Sequence, residues 1–329
     1  MTIVSIHAGR DANLAFTNEE GVKHLDLVGV NSLPAERFVT VLQDLVEKAK
    51  VPTDIQGLAL GKDSLYVSRF LSRIFNYRSL YFVGHHDAHA GYGFAQSSYE
   101  EAIVISFGAG GNDGVTNVFH ADGKGINMLH RFPINFGDAY VQMCYPIADI
   151  GGMKMESESA GHLPDDTDMC KQLEELAGKG EVVEEWVNTL SRYYISYRYA
   201  SSPDKEGFVD FKHRGNRRAM GESIGLDLSI NKLEGEVARN FAATNQKVFE
   251  DIFIGLMSPI LDSYKNLPLI LTGGCALNKS LTTRLKKNRA YRDEGKLFIP
   301  EDPTDSTLSV GQLNYLSPSK DLYKKVSKI

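Results

Sequence analysis

Two stretches of this sequence, far apart in the chain, repeat one pattern, and that repeat narrows the folds open to it. Residues 1–16 read as an apolar, β-branched strand (IVSIHA), a turn (GRDAN) and a second strand (LAF). Residues 101–120 read the same way, with EAIVISF, a glycine-rich turn and VTNVFH. Apolar runs separated by Gly, Asp and Asn carry the signature of a hairpin. Backbone N–H groups in such turns can point at phosphate oxygens. Two such hairpins, each opening an α/β unit, predict a pair of lobes that clamp a phosphate-bearing ligand.

The intervening sequence supports alternating strands and helices. Residues 34–49 place apolar residues at helical spacing, and Pro34 suits a helix start. IQGLALG reads as a buried strand, SLYVSRFLSRIF as a helix, and LYFVGHHDAHAGYGFAQS as a strand that turns into a helix near His85. Residues 125–230 are polar and less regular, with one helical stretch near 168–198. They are expected to form an insertion that carries acceptor contacts. A long amphipathic pattern from Leu233 to Tyr264 is expected to break near Pro259. PLILTGGCALNKSLTTRL then reads as strand, glycine turn and helix, an arrangement that suits an anion because glycine lets the backbone approach a ligand. We divide the chain into an N-terminal lobe, 1–98, and a C-terminal lobe, 99–329.

Composition excludes some classes of function. The net charge of −6 gives no global basic field of the kind a dedicated nucleic-acid binder carries. Two local basic stretches exist, one from Lys212 to Arg218 and one from Lys279 to Arg292. They read either as solvated surface or as contacts for a phosphate-bearing substrate, including a nucleotide or nucleic-acid acceptor. No apolar run reaches the roughly 18 residues of a membrane helix. Three widely spaced cysteines, Cys144, Cys170 and Cys275, suggest neither a disulfide framework nor a thiolate zinc site. The expectation is a cytoplasmic protein with no membrane partner.

The strongest local motif is GHHDAHA, from Gly84 to Ala90. His85 and His89 are four apart, so a helix starting here puts both imidazoles on one face and lets them reach one metal. Two histidines alone do not choose among Zn, Fe, Cu and Ni. Helix-capping or core histidines are the competing reading. His86 could serve as an acid–base or structural group, and Asp87 could orient a ligand. A third ligand must come from elsewhere. Asp305, in a strand-to-helix loop, is the candidate, although Asp at such a place also caps helices. Gly110 and Gly111 in the second hairpin, with Gly273, Gly274 and Asn278 in GGCALN, are candidate nucleotide contacts. Asp11, in the first turn, could be a general base or could simply stabilise its turn. Lys154 could bind a phosphate or a carbonyl oxygen.

In this order the pieces resemble the nodulation-type and antibiotic-tailoring O-carbamoyltransferases. IVSIHAGRDANLAF resembles the family's opening strand-HDxAA hairpin, with Asp11 at its aspartate. AERF (35–38) resembles EERF, HHDAHA resembles HHxxHA, GMKM resembles GKxMGLA and TGGCALN resembles GGVALN. PEDPTDSTLSVGQL resembles the family's closing loop, with Asp305 at its aspartate. The resemblance implies a two-lobed, actin-like and sugar-kinase-like α/β ATPase fold with duplicated phosphate hairpins. It implies a divalent metal, Fe2+ foremost and Zn2+ or Mn2+ as alternatives, on His85, His89 and Asp305. It further implies that carbamoyl phosphate and ATP give a carbamoyl-adenylate, whose carbamoyl group passes to a hydroxyl acceptor such as a sugar, an antibiotic or a hydroxymethylated nucleotide or DNA base. Asp11, His86 and Lys154 would be the catalytic residues. A related tRNA threonylcarbamoyl transferase and a non-catalytic nucleotide-binding regulator are the alternatives.

Three departures from the family stand out. Arg10 replaces a usual His. At the second hairpin Ser106 or Phe107 takes the place of an aspartate that would be a further metal ligand, with Asn112 or Asp113 as substitutes. The usual C-terminal domain, which resembles the enzymes that make carbamoyl-adenylate, does not follow Asp305. A separate adenylate-forming partner, another route or a fragmentary chain would each account for that.

Overall fold

The computed structural model describes residues 2–9, 11–28, 30, 33–111, 113–150, 166–196, 214–287, 296–318 and 326–329. Lys154 and Asn112 lie outside them, as do Lys212 and His213 of the first basic stretch and Arg289 and Arg292 of the second. The first sheet contains β1 (Ile3–His7), β2 (Asn13–Asn18), β3 (Gly21–Asp26), β4 (Asp54–Gly61), β5 (Asn76–Val83) and β11 (Val326–Lys328), in the order β11-β3-β2-β1-β4-β5. The second contains β6 (Glu101–Gly111), β7 (Gly114–Asp122), β8 (Gly125–Phe132), β9 (Leu269–Thr272) and β10 (Leu297–Phe298), in the order β10-β9-β6-β7-β8.

The two sheets share one plan. In each, an antiparallel three-strand meander opens the sheet, and two later strands add in parallel beside the first strand of the meander. The duplication suggested by the two hairpins therefore extends to whole sheets.

Helices cover both faces of the inner strands, so β1 and β9 are buried along their whole length, whereas β5 and β8 at the edges include exposed positions. Side chains of β6 alternate with the period of two that a strand imposes. Ile103, Ile105 and Phe107 pack with α4 (Phe136–Gln142) and α8 (Gly235–Ser263), while Ala102 and Val104 pack with Ala90 and Phe94 of α3 (His85–Gln96). In β1, Val4 and Ile6 face α1 (Ala35–Lys48) and α2 (Leu65–Leu71), whereas Ile3 faces Tyr92 of α3 and Val310 of α10 (Leu308–Leu316). Thus α3 and α10 form a layer between the sheets.

These two helices cross with backbone against backbone. A Cβ added at Gly311 would lie 1.9 Å from the Ala88 carbonyl oxygen, and one added at Gly91 would lie 2.2 Å from that of Gly311. Asn314 seals the crossing by donating through Nδ2 to the Gly91 carbonyl at 2.8 Å. The return of α10 and β11 to the first sheet, after the second sheet is complete, cuts across a simple division at 98/99.

The region read as an irregular insertion holds helices α5 (Asp166–Ala177), α6 (Glu184–Ser196) and α7 (Arg214–Ile224) among its described residues. Pro259 does not break α8, which runs on to Ser263. The buried stripe continues on both sides of the proline through Met257, Ile260 and Leu261, and that packing overrides the local preference.

Candidate metal centre

The HHDAHA segment starts a helix because Gly84 leaves β5 in an extended conformation and Asp113, from the second hairpin, caps the first helical turn. The Asp113 carboxylate accepts from the backbone N–H of His86 at 3.0 Å and of Asp87 at 3.1 Å. Those N–H groups have no partner within the helix, and a carboxylate at a helix N-terminus is favourable. The glycine hairpin of the second sheet is thereby fixed to the first turn of α3. Gly111 lies against the His85 ring, so closely that a Cβ there would sit 2.8 Å from that of His85.

One helical turn separates His85 from His89, and their Nε2 atoms are 3.2 Å apart. Asp305 begins the short 3-10 turn that leads into α10, and its Oδ1 lies 3.2 Å from His89 Nε2 and 3.5 Å from His85 Nε2. Among the described residues this is the group of His, Cys, Asp and Glu side chains arranged to hold an ion. A cation about 2.1 Å from each donor requires donors roughly 3.0–3.4 Å apart, between octahedral and tetrahedral angles. The two spacings of 3.2 Å fall inside that range, and the 3.5 Å between His85 and Asp305 lies just beyond it. Both imidazoles are buried and the Asp305 side chain is 32% exposed, so one side of the group is open. Two imidazoles and one carboxylate suit Fe(II), Zn(II) or Mn(II).

The charge states reflect the packing. Burial opposes ionisation of Asp305, but the His85 and His89 rings more than offset it and hold the carboxyl well below its ordinary range. Burial lowers His89, and burial together with the neighbouring His85 and His89 rings pushes His86 far below the usual histidine range. Burial and the adjacent Asp113 raise Asp87 to about 6.

These shifts predict a pH dependence. His86, His89 and the buried His24 all have lowered folded-state pKa values, so below about 6.5 the unfolded chain takes protons first and stability falls with pH. Each contributes at most about 1.4 kcal/mol per pH unit. Asp87 acts in the opposite sense between 3.8 and about 6, because its folded form holds the proton longer, and it offsets about one histidine. Urea unfolding in the presence of a chelator should therefore show a lower midpoint at pH 5 than at pH 7. A midpoint that is flat or rises would show that these histidines are not held neutral.

Most of the other residues singled out from the sequence are engaged within the fold. His86 accepts at Nδ1 from the Ser106 hydroxyl at 2.7 Å and donates from Nε2 to the Gly114 carbonyl at 3.1 Å, so both ring nitrogens are bonded. Phe107 is buried in an aromatic cluster with Phe136 and Phe253, and Asp113 is occupied in capping α3. None of Ser106, Phe107 and Asp113 adds a ligand to the group. Asp11 is exposed in the turn between β1 and β2 with φ +56°, a left-handed conformation that Asp tolerates. Gly273 has φ +85° and donates to the Pro303 carbonyl at 2.9 Å, while a Cβ added at Gly274 would meet open space. A Cβ added at Gly108 would lie 3.8 Å from the Gly274 nitrogen. Asn278 is turned inward. Its amide pairs with that of Gln246 at 2.9 and 3.1 Å and its Oδ1 caps α9 (Lys279–Lys287) through the Leu281 N–H. Burial pushes the Cys275 thiol upward, which suits an inert residue.

Sequence reasoning missed Asn13, which is buried between Asp11 and Asp305 and bonds to the backbone of both. Only its place two residues after Asp11 could have drawn notice.

Residues 36–312 match the model of the carbamoyltransferase N-terminus family. This chain belongs to that family. His85, His89 and Asp305 lie inside the matched span, and Asp11 lies before it. No curated protein sequence matches it. Among solved structures, full-length HypF in its phosphate- and nucleotide-bound form is similar with a TM-score of 0.53 and 14% identity over 97% of this chain and 47% of that one. HypF from T. kodakarensis is similar with a TM-score of 0.57 and 12% identity, over 99% and 48%. The chain spans about half the length of these HypF proteins, and at such identity the likeness speaks for the fold alone. That fold is the two-sheet, actin-like ATPase fold. No helix among the described residues is long and apolar enough to cross a membrane.

Proposed function

We propose that the chain transfers a carbamoyl group to a hydroxyl acceptor, with a divalent cation, Fe2+ foremost, held by His85, His89 and Asp305. The observation that carries this reading is the convergence of two imidazole nitrogens and one carboxylate oxygen within 3.5 Å of one another beside the glycine turns. When bound, the cation supplies Lewis acidity toward a carbamoyl or phosphoryl oxygen. Gly110 and Gly111, together with Gly273 and Gly274, offer backbone that a nucleotide phosphate can approach, and the open space beside Gly274 supports that placement. Asp11, exposed in the hairpin turn, takes the proton of the acceptor hydroxyl. Asn278 and His86 hold their surroundings in place in this reading, since their polar atoms are already bonded within the fold. Lys154 remains assigned to an anionic oxygen of the donor. The activated donor is carbamoyl-adenylate, formed from carbamoyl phosphate and ATP with release of phosphate and pyrophosphate, and AMP leaves when the acceptor oxygen attacks the carbamoyl carbon; a separate protein is its source where the chain does not form it.

The test is incubation of the cation-loaded protein with labelled carbamoyl phosphate and ATP, with and without an added adenylate-forming enzyme. A panel of sugars, aminoglycosides and hydroxymethylpyrimidine nucleotides serves as acceptors. A gain of one carbamoyl unit on an acceptor, seen by mass spectrometry and reduced at least about 100-fold by Asp11→Asn, is expected, in line with loss of a general base. Absence of transfer to every acceptor in both arms contradicts the reading.

A further inference from the structure

Asp305 reaches the two histidines from the opposite end of the chain, so something must fix its loop against the first hairpin. Asn13 meets that loop directly. It is fully buried in β2, opposite His7 in the β1–β2 register. Its Nδ2 donates to the backbone carbonyl of Asp305 at 2.9 Å and to that of Asp11 at 2.6 Å. Its Oδ1 accepts from the backbone N–H of Ser309 at 2.9 Å. Two carbonyl acceptors on one side and an N–H donor on the other fix the orientation of the amide, since only nitrogen can serve the first pair.

Each bond has a consequence. The Ser309 N–H lies in the first turn of α10, where the helix leaves its N–H groups unsatisfied, so Asn13 acts as a cap supplied from another element. The Asp305 carbonyl belongs to the residue whose carboxylate faces His85 and His89. The Asp11 carbonyl belongs to the turn that presents the exposed Asp11 side chain. One amide therefore sets the backbone of both carboxylate residues, at a position where no ligand-bearing chemistry of its own is required.

We propose that Asn13 is the positioning residue of this centre: it places Asp305 against His85 and His89 and ties the Asp11 turn to the same point. The proposal rests on the reading of His85, His89 and Asp305 as a cation site. Asn13→Asp keeps the shape and the bond from Ser309 but sets a carboxylate against two carbonyl oxygens. Asn13→Ala removes all three bonds.

The test is titration of Co2+ into the chelator-treated full chain, followed by the visible absorption of the bound ion, for wild type, Asn13→Ala, Asn13→Asp and His85→Ala. Both Asn13 variants should bind Co2+ about 10–100-fold more weakly, the usual effect of losing a partner that orients a ligand. Their absorption band should also change, because the carboxylate no longer meets the ion in the same way. Far-ultraviolet circular dichroism in chelator should match the wild type, a comparison that separates a displaced ligand from a damaged fold. If Asn13→Ala does not fold, the isosteric Asn13→Asp decides. Wild-type affinity and spectrum in the Asn13 variants, with binding lost in His85→Ala, overturn the proposal and leave the cation site standing. Wild-type binding in His85→Ala overturns the cation site and this proposal with it.

Discussion

Gly311→Val is expected to destabilise the folded protein by about 3 kcal/mol, the upper part of the range for forcing bulk into a packed interior. The argument is geometric. At this crossing even a Cβ would sit 1.9 Å from the Ala88 carbonyl oxygen and 2.7 Å from its carbon, and both are backbone atoms that no rotamer change can move. Gly91 faces the same obstacle from the other helix, so neither side can absorb the added volume. The helices would have to separate, at the cost of contacts to both sheets, since α3 packs on the second and α10 on the first. The centre would suffer too, because α3 carries His85 and His89 while α10 follows directly from Asp305. Urea denaturation should show a markedly lower midpoint, and Gly91→Val should behave alike. An unchanged midpoint in Gly311→Val would mean that the two helices do not cross as closely as described.

How much of this was legible in the sequence depends on the distance over which each feature is built. The hairpins were legible because strand, turn and strand are local, and the shared order of the two sheets follows from their repetition. The facing of His85 and His89 was legible because spacing of four is a property of the helix itself. Asp305 was a different case: nothing local distinguishes it from a helix-capping Asp, and family resemblance singled it out. The crossing of α3 and α10 was not legible, since Gly91 and Gly311 are ordinary glycines until the helices that bear them are brought together.

The partners that the sequence did not show share one cause. Asn278 sits in a motif that suits nucleotide contact, but in the fold Gln246, more than thirty residues earlier in the chain, takes up its amide. Pro259 is a helix breaker by local preference, yet α8 is held through it by a buried stripe. Ser106 was read as standing where the family has a metal-ligating aspartate, and Asp113 as a substitute for it. In the fold one bonds to His86 and the other caps α3, so each supports the helix that carries the histidines. In all of these a side chain's chemistry was readable and its partner was not, because the partner lay on another element.

The metal content of the purified chain is the remaining large effect and the most direct test of the centre. Removing one of three donors should weaken binding by more than the 10–100-fold that accompanies loss of an outer partner. His85→Ala leaves one imidazole and one carboxylate, and Asp305→Ala leaves two neutral imidazoles without the charge that balances the cation. After anaerobic loading with Fe2+, Zn2+ or Mn2+ and removal of excess, elemental analysis of the wild type should find about one ion per chain. The same treatment of His85→Ala and Asp305→Ala should leave almost none. A wild type that retains no ion, or variants that retain as much as the wild type, would contradict the assignment of His85, His89 and Asp305 as a single metal centre.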